Sequence, residues 1–353
     1  MNPNTRSAAP DRLPATTATP LSAAGEAREA HLFRHYSAAP ALRALLHQHR
    51  LVVPGRSWTP AAPPAPEPGP KPAPVAREQL RQSLQELPAL PQAALQALTA
   101  LRDVDSATDV CAALIGRDPS LVARTLRLAN SAAYGAPGRV GSVRDAVNRL
   151  GRQTVTSVLT LAMLSGQFEG ARCPGFSYAA FWRHALGVAL AARGLARALG
   201  RSDEPAFTVG LLHDIGRLAL AVHFPQATAE ALRRVPAYPG APQTLEREVL
   251  GADHLEVGAQ VAAQWNFPPD ILVAIAGHHA PRGAAGGAAS LADLVHVADA
   301  ITHALDLAED PHERVPPIDA ASWARLGLPD EALLKVLADT ETGVAELAAA
   351  MGL

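Results

Sequence analysis

The sequence predicts an all-α protein, and three observations carry that prediction. From Glu78 onward, apolar residues recur at three- and four-residue spacing, the period of one face of a helix. No strand-like alternation of any length interrupts them. Ala and Leu, both strong helix formers, recur throughout, while aromatic residues make up only 4%.

The first part of the chain has a different character. Between positions 54 and 74, nine prolines and two glycines fall among 21 residues. Each proline removes a backbone donor and disfavours helix in the residue before it, so the stretch reads as an extended linker. Ahead of it, 27–36 and 41–51 read as two short helices parted at Pro40, with Leu42, Leu45 and Leu46 as the apolar face of the second. His31, His35, His47 and His49 lie there without a Cys or carboxylate set, and read as residues of exposed or loosely docked helices. The expectation is an accessory arm over 1–53, largely disordered or in short helices, and a Pro-rich linker over 54–77.

The helical pattern starts with Leu80, Leu84 and Leu87, and resumes after Pro88 and Pro91 with Ala94, Leu95 and Leu98. Ser106 is placed to cap a helix containing Val110, Leu114 and Ile115. Asp118-Pro119 supplies cap and first turn for Leu121, Val122, Leu126 and Leu128, with a stop near Gly135-Ala136-Pro137-Gly138. Ser142 caps a short helix through Val143, Val147 and Leu150, Gly151 ends it, and a longer helix follows over 153–168. Further helices are expected over 178–199, 205–222, 243–250, 255–265, 269–278, 291–307 and 330–351. No internal repeat appears. One lobe over 78–168 and a second over 169–353, closed by the C-terminal helices, make a two-lobed bundle.

Composition excludes several classes of function. A length of 353 residues fits about two domains. The 31 Lys+Arg against 33 Asp+Glu leave a charge of −2, with no protein-wide field for nucleic acid or an anionic membrane. Arg124, Arg127, Arg144, Arg149 and Arg152 read as solvated helix faces. Cys111 and Cys173 are too few for a disulfide scaffold or a thiolate zinc cluster, and fit a reducing cytosol. The first 30 residues, with Pro3, Pro10, Pro14 and Pro20, lack the apolar core of a signal peptide. The apolar windows at 155–164 and 185–199 are too short for a bilayer or are broken by Arg193 and Arg197. Neither a glycine-rich phosphate loop nor Gly-x-Ser-x-Gly is present, so nucleophilic serine or cysteine catalysis has no support. The expectation is a cytoplasmic protein with no membrane and no direct nucleic-acid partner.

Metal-ligand residue types cluster in the second half: His184, His213-Asp214, His254, His278-His279 and Asp299. Each falls on or at the end of an expected helix. Imidazoles and carboxylates projecting from several helices into one interior are how helical proteins build two-metal sites. On a helix, neighbouring side chains point about 100° apart, so His213 can hold one ion while Asp214 bridges to a second. Two ions about 3.5–4 Å apart can generate a hydroxide nucleophile and clamp a phosphate oxygen. Each residue alone reads as a satisfied core residue, and His223, His296, His303 and His312 show histidine scattered without pattern. Two doublets and three single ligands within 116 residues are harder to dismiss.

At these residues the chain resembles a known family. Gly210-Leu211-Leu212-His213-Asp214-Ile215-Gly216-Arg217-Leu218 is similar to the signature helix of the HD superfamily of metal-dependent phosphohydrolases. The preceding half sharpens the resemblance to the HDOD family. Leu87-Pro88-Ala89-Leu90-Pro91 resembles its opening Leu-Pro-x-Leu-Pro. Asp118-Pro119-Ser120-Leu121, the run from Leu126 to Gly135 and Ala146-Val147-Asn148-Arg149-Leu150-Gly151 resemble its next landmarks, and Asp253-His254-Leu255-Glu256-Val257-Gly258 with Trp265 and Pro268 a later one. The likeness runs over about 84–307. It implies an HD-like helical fold and an HD-type ligand set of His184, His213, Asp214, His254, His278, His279 and Asp299, for one or two divalent ions of Fe, Mn, Zn or Ni. Within 126–135, Asn130 and Gly135 read structurally as a helix stop; a docking surface between the lobes is the functional alternative.

Function follows the family in two directions. HDOD proteins resemble HD phosphohydrolases, including the HD-GYP cyclic-di-GMP phosphodiesterases, yet are regarded as signalling modules without established catalysis. The favoured expectation is a cytoplasmic bacterial signalling protein that binds a partner protein or a nucleotide such as a cyclic dinucleotide. The alternative is a two-metal phosphohydrolase in which Asp214 bridges the ions and Arg217 neutralises phosphate charge. Two departures count against the alternative. Arg217 stands where the phosphodiesterase branch has Lys, and its forked head need not place one donor on a phosphate. After His278-His279 the run Ala280-Pro281-Arg282-Gly283-Ala284-Ala285-Gly286-Gly287 lacks the Glu and Gly-Tyr-Pro element of HD-GYP enzymes.

Overall fold

The structure is a computed structural model describing residues 29–30, 32–33, 40–52, 82, 112–113, 115–117, 119–131, 139–166, 172–235, 241–308, 310 and 313–353. Every regular element among the described residues is helical. Apart from Gln82, the expected elements at 78–98 lie outside them, as do the Ser106 cap, the stop at 135–138, Cys111, His31, His35 and His312.

Helix α1 (Pro40–Val52) belongs to the arm. Helices α2 (Pro119–Ala129) and α3 (Val143–Gly166) pack on each other. Gly151 breaks α3 with a φ of 75°, as the sequence predicted, and Ser142 Oγ accepts from Asp145 N at the helix start. Asn130 joins the two helices. Its amide nitrogen donates to Leu126 O and Val140 O at 2.9 Å, and its oxygen accepts from Val140 N at 2.9 Å. This supports the structural reading of that residue; Tyr134 and Gly135 lie outside the described residues.

The second half is built around α4 (Tyr178–Ala198), whose run of alanines is buried. It packs against α5 (Glu204–Leu212), α11 (Leu291–Ala304) and α13 (Asp330–Met351). Small residues let the axes come close: a Cβ on Gly210 would stand 2.7 Å from the Cα of Ala189. The charge that interrupts α4, Arg193, is buried but not orphaned. Its guanidinium lies 3.8 Å from the Phe207 ring centre and donates to Ser157 Oγ of α3 at 3.1 Å. Burial first, and Arg197 beside it, lower its pKa to about 10.

The remaining elements are α6 (Ile215–His223), α7 (Pro225–Arg234), α8 (Pro242–Leu250), α9 (His254–Gln264), α10 (Pro269–Gly277) and α12 (Ala320–Leu326). Two features differ from the sequence expectation. Helices α7 and α12 were not anticipated; Pro225 at the start of α7 and an Asp319 cap on α12 set their first turns. The single helix expected over 205–222 is two helices, parted at His213-Asp214. The stretch Glu204–His223 has the length and apolarity of a membrane span but is 78% buried in the bundle.

Helix α13 touches α1, α2, α3 and α4, so the C-terminal helix contacts both halves of the chain and the arm. Helix α1, one of the short helices expected in the arm, packs on the bundle through the apolar face read from the sequence. Leu42, Leu45 and Leu46 are buried, and His49 Nε2 lies 2.7 Å from Glu341 of α13. His47 lies 2.8 Å from Glu29. Each of these two histidines thus faces a carboxylate.

Candidate metal centre

The break in the helix creates the site. His213 still has helical angles (φ −53°, ψ −38°), whereas Asp214 departs from them (φ −103°, ψ 14°). Neither doublet residue sits inside a continuous helix as the sequence suggested. Both side chains point inward from the junction, with His213 1% and Asp214 4% exposed.

Four further elements bring partners. His254 is the first residue of α9, held there by the Asp253 cap, which accepts from Glu256 N at 2.9 Å. His278 ends α10, and His279 follows it. His184 lies on α4. Asp299 lies on α11, whose start is fixed by a capping box between Ser290 and Asp293 and by Arg325, which pairs with Asp293. All seven expected ligands are thus in one place. Three sets of ligand atoms lie within 4.8 Å of one another: Asp214 with His254, His278 and His279; His184 with His213 and Asp214; and His184 with Asp299 and His303.

Hydrogen bonds on the outer side of the rings determine what the inner side offers. His213 Nδ1 donates to Gly210 O at 2.7 Å, and His278 Nδ1 donates to Ile275 O at 2.8 Å. His254 Nδ1 donates to Glu246 Oε2 at 2.6 Å, and its backbone N–H donates to the same oxygen at 2.9 Å. In neutral imidazole a donating Nδ1 leaves a lone pair on Nε2, so His213 and His278, whose burial disfavours the charged form, present lone pairs inward. His254 Nε2 lies 3.4 Å and His278 Nε2 3.8 Å from Asp214 Oδ1, and His213 Nε2 lies 3.6 Å from Asp214 Oδ2. Asp214 Oδ1 and His278 Nε2 are buried without a hydrogen-bond partner. A lone pair facing a carboxylate oxygen is repulsive, and a cation between them resolves it. The donor set therefore fits a divalent metal, with carboxylates turned in and histidines locked from behind.

On the other side of the doublet, His184 Nε2 lies 3.2 Å from His213 Nε2 and 3.1 Å from Asp299 Oδ1. His279 Nε2 lies 3.1 Å from His254 Nε2. Burial raises a carboxylate pKa, yet Arg217, His213 and His254 outweigh it and hold Asp214 well below its ordinary value. Asp299 is likewise held low against burial by His303 and His184. Burial, reinforced by His213, pushes His278 down to about 3, and burial with His278 lowers His279. Burial also lowers His213, against the pull of Asp214. Ionised carboxylates beside neutral imidazoles are the protonation states a metal requires.

Arg217 is committed to carboxylates: Nη1 lies 3.1 Å from Asp214 Oδ2 and Nε 3.6 Å from Glu246 Oε1. Its side chain remains 31% exposed. Sequence reasoning missed three participants, Glu246, His303 and Glu313. Glu246 backs His254 from α8 and belongs to no motif. His303 Nε2 lies 3.2 Å from Asp299 Oδ1, one helical turn on, and its other ring nitrogen pairs with Glu313. Spacing of four from Asp299 was the available signal for His303. His296, another histidine read as scattered, is structural: it donates to His278 O and accepts from Asp319 N, both at 2.8 Å.

With this geometry in view, comparison with known proteins decides the family. The HDOD domain family model matches residues 87–281, more than half of the chain. The chain belongs to the HDOD family. A solved HDOD domain protein of unknown function from Geobacter sulfurreducens is 26% identical, with a TM-score of 0.64 over 77% of this chain and 96% of that one. A structure from Shewanella amazonensis SB2B, named provisionally as a phosphohydrolase, is 31% identical, with a TM-score of 0.59 over 77% of this chain and 98% of that one. A protein of Marinobacter aquaeolei VT8, named provisionally for signal transduction, shares the fold at 24% identity and a TM-score of 0.63, over 78% of this chain and 66% of that one. An uncharacterized protein of Treponema pallidum (strain Nichols) is 27% identical over 240 residues, and the match spans only 45% of its length.

Proposed function

We propose that this HDOD protein is a cytoplasmic bacterial signalling module that holds two divalent cations as a fixed centre and acts by binding, without turnover. Under this reading His184, His213, Asp214 and Asp299 would hold one cation, and Asp214, His254, His278 and His279 would hold the other. The bound cations would supply electrostatic cross-links among α4, α5, α6, α9, α10 and α11. Its partners are a signalling protein or a small nucleotide. Membership of the HDOD family is what supports the class.

One observation carries the choice of binding over hydrolysis. Asp214, His213, His254, His278 and Asp299 are each less than 5% exposed, and Arg217 is tied to Asp214 and Glu246. A phosphoester would need an open face on the cations and an uncommitted cationic donor for its charge. The alternative, a binuclear phosphohydrolase, is favoured by the completeness of the donor set. An assay of Mn-loaded protein against bis(p-nitrophenyl) phosphate and cyclic dinucleotides separates the two. The proposal expects no turnover above that of Asp214→Ala; turnover that disappears in Asp214→Ala would establish the hydrolase.

A further inference from the structure

The polar cluster does not end at the seven ligand residues. His303 lies between two buried carboxylates, Asp299 (4% exposed) and Glu313 (3% exposed). It faces Asp299 with Nε2 at 3.2 Å and Glu313 with Nδ1. Glu313 precedes Val315, whose N–H donates to Leu32 O of the arm at 2.9 Å, so the segment carrying it is anchored.

The same device already serves the other half of the centre. There Glu246, from a neighbouring helix, takes the outer nitrogen of His254 and fixes where its inner nitrogen points. Here Glu313 takes the outer nitrogen of His303, and the inner nitrogen addresses a carboxylate. His303 is the one ring that faces both of these buried carboxylates among the described contacts.

We infer that His303 and Glu313 are positioning residues for Asp299: they fix the direction of its carboxylate and so hold the cation shared with His184 and His213. This rests on the metal-binding reading of the centre. Loss of such an outer partner weakens metal affinity by about 10- to 100-fold.

The test is Mn(II) titration of the full-length protein by calorimetry, with the paramagnetic resonance signal of the bound Mn pair as a second readout. Three variants are compared with the parent: His303→Leu, His303→Gln and Glu313→Gln. His303→Leu fills the space but donates nothing, and is expected to weaken one of the two Mn(II) sites by about 10- to 100-fold. His303→Gln keeps a donor and should recover most of that loss. Glu313→Gln keeps the shape and should weaken the same site; it carries the test if His303→Leu does not fold. Unchanged Mn(II) affinity in His303→Leu or Glu313→Gln would overturn the inference while leaving the centre intact. Equal weakening in His303→Leu and His303→Gln, with equal loss of thermal stability, would assign the pair to packing and also overturn it. A folded parent that binds no Mn(II), Fe(II) or Zn(II) would overturn the centre, and the positioning role with it.

Discussion

A Cβ on Gly216 would stand 2.0 Å from the carbonyl oxygen of His254. Helices α6 and α9 therefore meet backbone to backbone, with no room for any side chain at that position. The close approach brings Asp214, just ahead of α6, to 3.4 Å from the imidazole of His254 at the start of α9. Gly216→Ala must push the two helices apart. Overpacking of this kind typically costs about 1–3 kcal/mol, and a backbone neighbour puts it at the upper end. Urea unfolding should show that loss, together with loss of metal from the variant. A change below about 0.5 kcal/mol, the range of ordinary surface substitutions, would contradict the packing described.

The neutral histidines make the metal-free protein sensitive to acid. His213, His278 and His279 have folded pKa values lowered from about 6.5, that of His278 to about 3. Below about pH 6.5 the unfolded chain takes up protons that the folded chain refuses. Their stabilisation is therefore complete above pH 6.5 and declines as the pH falls, by up to about 1.4 kcal/mol per pH unit for each proton excluded. His303 has the opposite sign: its raised pKa contributes below pH 6.5 and is lost as the pH rises through the folded value. Three groups against one make the acid side steeper. Thermal unfolding of chelator-treated protein should show Tm rising from pH 4 to pH 6.5, and less so in His278→Gln. A flat profile would contradict the assignment of neutral rings.

The arm's helix is expected to contribute to stability. Leu46 is 1% exposed in α1, which packs against α11 and α13. Leu46→Ala should cost about 2–5 kcal/mol, the usual range for a buried leucine, and lower the Tm measured by circular dichroism. An unchanged Tm would show that α1 does not stay on the bundle.

Much of this fold was legible because helix signals are local. The 3.6-residue period, Ser142 and Gly151 placed α3, and the alanine-rich run placed α4. The seven expected ligands do meet, since a family motif fixes their order along the chain. What escaped the sequence depends on tertiary contact. The break at Asp214 has no Pro beside it to announce it, and the close packing of Gly216 on His254 just beyond it is a tertiary contact. Glu246, His303 and Glu313 carry no motif; each acquires its role from the ring or carboxylate it faces across the fold. Docking of α1 was illegible because its partners on α13 lie nearly three hundred residues away, as with His49 and Glu341.

The central claim is that His184, His213, Asp214, His254, His278, His279 and Asp299 form a metal centre. Elemental analysis of untagged, purified protein beside a folded Asp214→Ala control tests it most directly. The account predicts about two equivalents of a divalent transition metal in the parent and their loss in the variant. A folded parent that contains none, and takes up neither Mn, Fe nor Zn when these are added, would contradict it.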